Sequence, residues 1–373
     1  YDLFFINFFT FPFLFYILVI NSNQNLFNNF LFGWFYGFGY FLSNLYWIVI
    51  SLTFDQSFKF LIPIAIILVP AFLAIFYGVM TYLFSFFFKK NVIVSFFIFS
   101  TLFGIIEFIR GHILTGFPWN LISFSFSENL NFIQILSFIG TYSFNLICIS
   151  LFTLPAVIFL KYSKKEIIFF FFFLLFVISF TVFGNYKNNN FNSLETLKNP
   201  YTIKVISSNI GLDRFYSNKN ELDIIKELIK LSNSEKNKPT IFLWPEGIIP
   251  DTYLSEMKNY KDLFYNNFGD DDLIILGLSS LKIKNDKDLY FNTLAVFNNK
   301  LELIHHYNKV NLVPFGEFVP FEKILRFIGL KTITNDFQSF SKGKERKPFK
   351  IQNDEIDLNL LPLICYEVIF TNL

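Results

Sequence analysis

Hydrophobic residues fill the first half of the chain in six long runs. They cover residues 3–20, 30–52, 60–87, 92–111, 138–160 and 167–184. A helix that crosses about 30 Å of hydrocarbon needs about 20 apolar residues, because each residue advances about 1.5 Å and lipid offers no partner to an open backbone. The pattern predicts a helical membrane domain of about six spans over residues 1–185.

After residue 185 the pattern changes to short apolar runs that alternate with charged helical stretches. Strands are predicted for "YTIKVISSNI", "TIFLW", "LIILGLSS", "LYFNTLAVF" and "IDLNLLPLIC", and an amphipathic helix for "NELDIIKELIKLSN". This order predicts an α/β domain over residues 186–373. Most of its strands end where turn-forming or reactive residues begin, and α/β folds usually place their chemistry there.

Composition and charge support this division. The chain is 53% hydrophobic and 16% charged, with 58 Phe, which is too apolar for an ordinary soluble protein. Residues 1–185 hold 7 of the 31 Lys and Arg and 5 of the 29 Asp and Glu. The rest of the chain is therefore neutral overall. A nucleic-acid partner is not expected, because binding one needs a concentrated basic face.

The basic residues of the short loops predict the orientation in the membrane. Lys89 and Lys90 follow the third run, and Lys161, Lys164 and Lys165 follow the fifth. Short loops rich in Lys and Arg stay in the cytoplasm. The α/β domain, one span further on, is therefore expected outside the cytoplasm, in the periplasm of a bacterium with two membranes.

Two charged residues lie three positions apart near the end of the fourth run. Glu107 and Arg110 would be costly in lipid unless they pair or face an aqueous cavity. A local ion pair near the interface and a functional polar site are both open interpretations.

Three motifs in the second half carry reactive groups. "LWPEGIIP" holds Glu246, "YNKVNLVPFGEFVP" holds Lys309 and Glu317, and "LLPLICYE" holds Cys365 and Glu367. Each has an ordinary structural explanation: a turn residue, a solvated charge, or a small buried hydrophobe. Only their combination indicates chemistry.

Together the motifs supply what thiol acyl chemistry needs. A Cys has an ordinary pKa near 8.5, and its attack on a carbonyl is helped by a base and by a nearby cation. Glu246 is the candidate base. Lys309, with a backbone N–H near Cys365, is the candidate stabiliser of the negative oxygen of a tetrahedral intermediate.

Histidine and metal alternatives are weaker. A dyad of Cys365 with His306 stays open, although His305 and His306 are adjacent on a predicted strand. No metal site is predicted, because the second thiol, Cys148, lies inside the fifth hydrophobic run, and His112 is separated from the other two histidines.

The motifs resemble a known family. A Glu in "WPE", a Lys upstream of "LVPFGE" and a Cys in "CYE" look like the Glu-Lys-Cys triad of the nitrilase superfamily. With "GFGYFLSNLYW" (37–47) and "GFPWN" (116–120), they resemble the apolipoprotein N-acyltransferase family. The resemblance implies an αββα sandwich for the α/β domain. It also implies a chain truncated at both ends, since the family has one more leading span and continues beyond this C-terminus.

The resemblance implies a reaction. The family takes an acyl chain from a phospholipid and attaches it to the amino group of the diacylglyceryl-cysteine of an apolipoprotein, in the bacterial inner membrane and without a cofactor. Cys365 would hold the acyl group as a thioester, Glu246 would be the base and Lys309 would stabilise the oxyanion. Glu317 and Glu367 would orient Lys309 and shape the pocket, beside an aromatic neighbour of the nucleophile at Tyr366.

A further amphipathic pattern follows the Lys309 motif. In "FVPFEKILRFIGLK" (318–331), Phe321, Leu325 and Ile328 share one face of a short predicted helix, and Phe318 precedes it. This face either packs on the core of its own domain or forms a lipid-access arm on the outer leaflet.

Two other function classes compete. A membrane-tethered amidase or nitrilase would use the same three groups and pass the acyl group to water. Six predicted spans, however, favour substrates that both live in lipid. A transporter or membrane scaffold would show repeated halves or several polar groups within its spans, and the sequence has only Glu107 with Arg110 and no repeat.

Overall fold

The chain folds into two compact units, Tyr1–Glu195 and Thr196–Leu373, called here the helical domain and the α/β domain. The structure is a computed structural model. It describes residues 4–22, 25–53, 56–113, 116–194, 200–210, 220–236, 238–249, 252–314, 316–320, 339–352 and 355–370.

The helical domain is built from long apolar helices. Its α-helices are α1 (Asn7–Ile20), α2 (Leu26–Leu45), α3 (Ile62–Phe87), α4 (Val92–His112), α5 (Leu130–Ile133), α6 (Leu136–Ile139), α7 (Thr141–Thr153), α8 (Pro155–Leu160) and α9 (Lys164–Asn192). Short 3₁₀ segments flank them at Phe4–Ile6, Tyr46–Thr53, Gln56–Leu61 and Ile122–Phe126.

Five helical stretches of the described residues are long and apolar enough to cross a membrane. They are Leu26–Thr53, Lys59–Phe87, Val92–His112, Thr141–Leu160 and Lys164–Asn192. The first predicted run forms the shorter apolar helix Phe4–Ile20, and a second short one covers Leu130–Ile139. The last long helix ends at Asn192 and therefore extends beyond the predicted run 167–184.

Aromatic packing holds these helices together. Phe11, Phe103 and Phe152 are fully buried, and the Phe11 ring lies 5.4 Å from the Phe103 ring and 6.1 Å from the Phe152 ring. Gly33 lets α2 approach α3 closely, since a Cβ there would lie 2.1 Å from Oγ1 of Thr81. Shape and packing, rather than hydrophobicity alone, thus fix the helix contacts, as expected in lipid.

Glu107 and Arg110 form a buried ion pair on α4. Arg110 Nη2 lies 2.6 Å from Oε2 of Glu107, and Nε lies 3.0 Å from Oε1. The remaining Nη1 donates to the backbone oxygens of Phe117 (2.6 Å) and Trp119 (2.9 Å). The local ion pair is therefore present, and Arg110 also fastens the loop that follows α4.

The α/β domain contains a five-stranded mixed sheet. Its strands are β1 (Thr202–Val205), β2 (Thr240–Glu246), β3 (Leu273–Lys284), β4 (Lys287–Asn298) and β5 (Leu303–Asn308). They lie side by side in the sheet in the same order as in the sequence. β1, β2 and β3 are parallel, whereas β4 and β5 return antiparallel. β6 (Phe349–Gln352) and β7 (Asp357–Leu360) form a separate antiparallel pair.

Both faces of the five-stranded sheet are covered. On one face, Ile225 and Leu228 of α10 (Glu221–Ser232) share a buried cluster with Phe242 of β2. α11 (Lys261–Asn267) contributes to the same cluster. On the other face, the pair β6–β7 packs through Ile351 against Val296. These layers agree with the predicted nitrilase-like α/β domain.

Candidate active site

Cys365 opens a short turn rather than ending a strand. β7 stops at Leu360, and Cys365 begins the 3₁₀ segment Cys365–Ile369 with a φ of 52°. Pro362 accounts for the early end of the strand, because it has no N–H to donate to a sheet. A positive φ is unfavourable for a residue with a Cβ and is often found at functional sites. The thiol is solvent-exposed.

Glu246 is the last residue of β2. The pairing of β2 with β3 shifts between Leu243 and Glu246, which places Glu246 opposite Gly277. A Cβ at Gly277 would lie 3.0 Å from Cα of Glu246, so the glycine makes room for this approach. The Glu246 side chain is 36% exposed. Its carboxylate thus sits at a sheet end and faces solvent.

Lys309 follows the end of β5 and is buried between two carboxylates. Its Nζ lies 2.9 Å from Oε1 of Glu317 and 3.8 Å from Oε1 of Glu246. Glu317 is itself fixed, because its Oε2 accepts the backbone N–H of Val313 at 2.8 Å. The Lys309 side chain is only 1% exposed, so its charge is held in place and directed at the site.

Asn292 of β4 joins the same cluster and was not predicted. Its Nδ2 donates to Oε1 of Glu246 at 2.6 Å and to Oε1 of Glu317 at 2.7 Å. The sequence offered a signal, since "LYFNTLAVF" places an amide inside an apolar strand. Nothing local, however, says which residues meet it across the fold.

Glu367 is fully buried and accepts hydrogen bonds from several donors. The backbone N–H groups of Val310 and Asn311 lie 2.9 Å from its Oε1, and that of Ile364 lies 3.0 Å from Oε2. The Tyr307 hydroxyl donates to the same carboxylate. Glu367 therefore ties the segment after Lys309 to the turn of Cys365.

Arg346 supplies the counter-charge for Glu367, and the sequence did not indicate it. Its Nη2 lies 2.7 Å from Oε1 of Glu367, and its Nε donates to the Tyr307 hydroxyl at 3.2 Å. Burial would raise the pKa of Glu367, but the backbone donors, Arg346 and Tyr307 outweigh it, and the pKa lies below its ordinary value. Burial raises the pKa of Tyr307 to about 12. Glu367 is thus an ionised structural acceptor.

The electrostatics of Cys365 favour the protonated thiol. Partial desolvation and the negative charge of Glu246 raise its pKa above the ordinary value, and Glu317 adds to the rise. Lys309 and the backbone N–H of Tyr366 act in the opposite direction. A thiol that keeps its proton at neutral pH needs a base to become a nucleophile.

The Tyr366 ring lies next to the side chain of Lys309. Its hydroxyl donates to the backbone oxygen of Leu312 at 2.7 Å, and the Lys309 Nζ lies 5.5 Å from the ring centroid. A cation at this distance from an aromatic face is attracted to it. The aromatic neighbour therefore helps to hold Lys309.

The histidine alternative finds no support. Tyr307 points to Glu367, and His306, the preceding residue of β5, points to the opposite face of the sheet because strand side chains alternate. His305 stacks on Phe349, with ring centroids 3.8 Å apart. Over the described part of the chain there is no group of three or more His, Cys, Asp or Glu that could hold a metal ion.

The proposed lipid-access arm falls mostly outside the described residues. Phe318 is half-buried and forms an isolated bridge with Pro314. Phe321, Leu325 and Ile328 lie outside the part of the chain that the structure describes. The choice between a core helix and an arm therefore stays a prediction.

Known proteins are similar to this chain over most of its length. The family model of the apolipoprotein N-acyltransferase N-terminal domain matches residues 1–154. An apolipoprotein N-acyltransferase of Rickettsia typhi is 30% identical over 371 residues, which cover 98% of this chain and 71% of the relative. Those of Rhizobium leguminosarum bv. trifolii and Brucella melitensis are 29% and 26% identical, and each match covers 91% of this chain.

With these relatives, the long apolar helices and the layered α/β domain identify a bacterial membrane protein with a nitrilase-like domain. Within that class, the chain belongs to the apolipoprotein N-acyltransferase family. It spans about 64% of the length of the Brucella and Rhizobium relatives.

Proposed function

We propose that the protein N-acylates bacterial apolipoproteins. An acyl chain passes from a phospholipid to the thiol of Cys365, and then from the thioester to the α-amino group of an N-terminal S-diacylglyceryl-cysteine. Glu246 takes and returns the protons, and Lys309 stabilises the oxyanion. The main support for this proposal is that Glu246 and Lys309 face the same space and that the charges of both act on Cys365.

In the first half-reaction, Glu246 accepts the thiol proton as the sulfur attacks the ester carbonyl of the phospholipid. The negative oxygen that develops is stabilised by Lys309 and by the N–H of Tyr366, the two groups that already lower the pKa of the Cys365 thiol. As the intermediate collapses, Glu246 gives this proton to the departing glycerol oxygen, which releases the lysophospholipid and leaves a thioester. Buried Glu317 orients Lys309, and Glu367 shapes the turn that carries the thiol.

In the second half-reaction, the lipoprotein amine attacks the thioester. Its proton passes to Glu246, and the departing sulfur of Cys365 takes the proton back. The product is an amide, and the free thiol is restored. No cofactor is required, because the reaction has no redox step and the thioester keeps the acyl group activated for transfer to the amine.

Both proposed substrates are anchored in lipid, which explains why the enzyme has a membrane domain. We place the enzyme in the inner membrane with the α/β domain on the periplasmic side, since the loop lysines 89, 90, 161, 164 and 165 mark the cytoplasmic side. The segment that begins at Phe318 is proposed as an arm that lies on the outer leaflet and admits the phospholipid.

The experiment that tests this function follows both products. Membranes that contain the protein are incubated with a phospholipid labelled in its acyl chain and with a synthetic diacylglyceryl-cysteine peptide. The proposal predicts label in amide linkage on the peptide. Label released only as free fatty acid, with or without the peptide, would instead indicate a membrane-tethered amidase or esterase that uses water as acceptor.

A further inference from the structure

Asn292 links the two carboxylates of the candidate site by a single nitrogen. Its Nδ2 lies 2.6 Å from Oε1 of Glu246 and 2.7 Å from Oε1 of Glu317. An amide nitrogen carries two hydrogens, and an ionised carboxylate can only accept. Each of the two carboxylates therefore receives one hydrogen from Asn292.

Lys309 closes the arrangement from the other side. Its Nζ lies 2.9 Å from the same Oε1 of Glu317 and 3.8 Å from the same Oε1 of Glu246. Two donors and two acceptors thus alternate around a ring. Asn292 supplies its two hydrogens without adding charge, whereas a second cation would weaken the base and a third carboxylate would repel the other two.

One oxygen of Glu246, Oε1, is therefore occupied by the hydrogen bond from Asn292. Oε1 faces the two donors, and an amide N–H cannot accept a proton, so a proton that Glu246 picks up resides on Oε2. We propose that Asn292 is a positioning residue that holds Oε1 of Glu246 and leaves Oε2 to exchange protons with Cys365. This inference rests on the proposed function and adds a residue to it.

The proton balance then runs through Oε2 in both half-reactions. The S–H proton of Cys365 moves to Oε2 as the S–C bond forms, and it moves on to the glycerol oxygen as the ester C–O bond breaks. Next, an amine proton moves to Oε2 as the C–N bond forms. It returns to the sulfur of Cys365 as the C–S bond breaks. Asn292 keeps Oε1 throughout.

The side chain of Asn292 is not needed to hold its strand. Asn292 lies within the β3–β4 ladder opposite Ser279, and its backbone oxygen accepts the N–H of Lys309 at 2.9 Å. These backbone bonds survive truncation of the side chain. A variant without the amide should therefore keep the fold and release Glu246, whereas Glu317 keeps its contacts with Lys309 and the N–H of Val313.

Two variants separate positioning from charge. In bacterial membranes, Asn292→Ala should slow formation of the acyl adduct on Cys365 by about 10- to 100-fold, as expected for a misplaced base. It should shift the pH profile of Cys365 alkylation by iodoacetamide less than Asn292→Asp does, because it adds no charge. Asn292→Asp should lose the adduct and also move the alkylation profile to higher pH. Asn359→Ala, at an exposed asparagine of strand β7, is the matched control and should match the wild type.

Three results would overturn the inference. They are an Asn292→Ala variant that acylates within about twofold of the wild type, one that moves the alkylation profile as far as Asn292→Asp does, and one that fails to fold, which would make the role structural. If the wild type itself forms no adduct on Cys365, the proposed function fails and the inference falls with it. A normal adduct in both wild type and Asn292→Ala removes the inference alone.

Discussion

The Nζ atom of Lys309 lies 3.8 Å from Oε1 of Glu246, so a buried cation and a partly exposed carboxylate face the same space. Their charges act on the thiol of Cys365 in opposite directions, because Glu246 raises its pKa and Lys309 lowers it. The effect of each charge on the thiol can therefore be measured separately from the proposed role of that residue in the reaction.

Removing the charge of Glu246 and removing the charge of Lys309 should shift the pH dependence of Cys365 alkylation in opposite directions. Glu246→Gln removes a negative charge that raises the pKa of Cys365, so alkylation by iodoacetamide should set in at lower pH than in the wild type. Lys309→Met should move it to higher pH. Both variants should nevertheless lose acylation, the first for want of a base and the second by about 3 kcal/mol of lost oxyanion stabilisation.

Exposed residues of the same types serve as controls for this pair. Glu227→Gln on α10 and Lys300→Met in the β4–β5 turn should change neither the alkylation profile nor acylation. Alkylation shifts of the same sign in Glu246→Gln and Lys309→Met would contradict the charge arrangement. Retention of more than about a tenth of the acylation rate in either would mean that its role is misassigned.

The α/β domain should lose stability in acid through Glu367. Its pKa is lowered in the folded state, so this contribution is complete above the ordinary value of 4.5 and is lost as the pH falls through the folded pKa. Glu367→Gln should lower the stability by about 3 kcal/mol at neutral pH, because it leaves Arg346 without its buried partner. It should also flatten the acid dependence.

Thermal unfolding in detergent between about pH 3.5 and pH 7 measures this dependence. Glu345→Gln is a suitable control, since Glu345 pairs with Lys347 at the surface. A Glu367→Gln variant with the same acid dependence as the wild type would show that another carboxylate is responsible.

The segment after Phe318 should act on lipid access rather than on folding. If it is an arm, the double change Phe321→Ser and Leu325→Ser should leave the thermal midpoint unchanged and slow acylation from bilayer phospholipid, because less apolar surface enters the leaflet. If it packs on the core, the domain should be destabilised instead. A folded variant that is fully active on membrane-embedded phospholipid would refute the arm.

The α/β domain should lie outside the cytoplasm. A reporter that is active only after export should be active when fused after Pro200, and a reporter that works only in the cytoplasm should be active when fused after Lys90. The opposite pair of results would reverse the orientation inferred from the loop lysines.

Sequence and structure agree best where the information is local. The membrane helices follow from run length, and Glu246, Lys309 and Glu317 stand in short motifs rich in Pro and Gly. Asn292 could not be assigned, because its contact with Glu246 spans 46 residues and depends on the strand register.

Arg346 shows the same limit, since its contact with Tyr307 spans 39 residues. Its sequence surroundings, "GKERKPF", look like an exposed charged loop. Cys365 was predicted at a strand end, but Pro362 ends the strand early and a turn presents the thiol instead. Tertiary contacts, not local pattern, decide such details.

The proposed reaction depends on a thioester at Cys365, which mass spectrometry of the protein detects after incubation with acyl-labelled phospholipid. We expect an acyl adduct on Cys365 that hydroxylamine removes, that Cys365→Ala abolishes, and that Cys365→Ser nearly abolishes because a hydroxyl is far less acidic. Cys148→Ala, at the buried second cysteine, should leave it intact. Acyl transfer to the lipopeptide at the wild-type rate by Cys365→Ala would show that Cys365 is not the nucleophile.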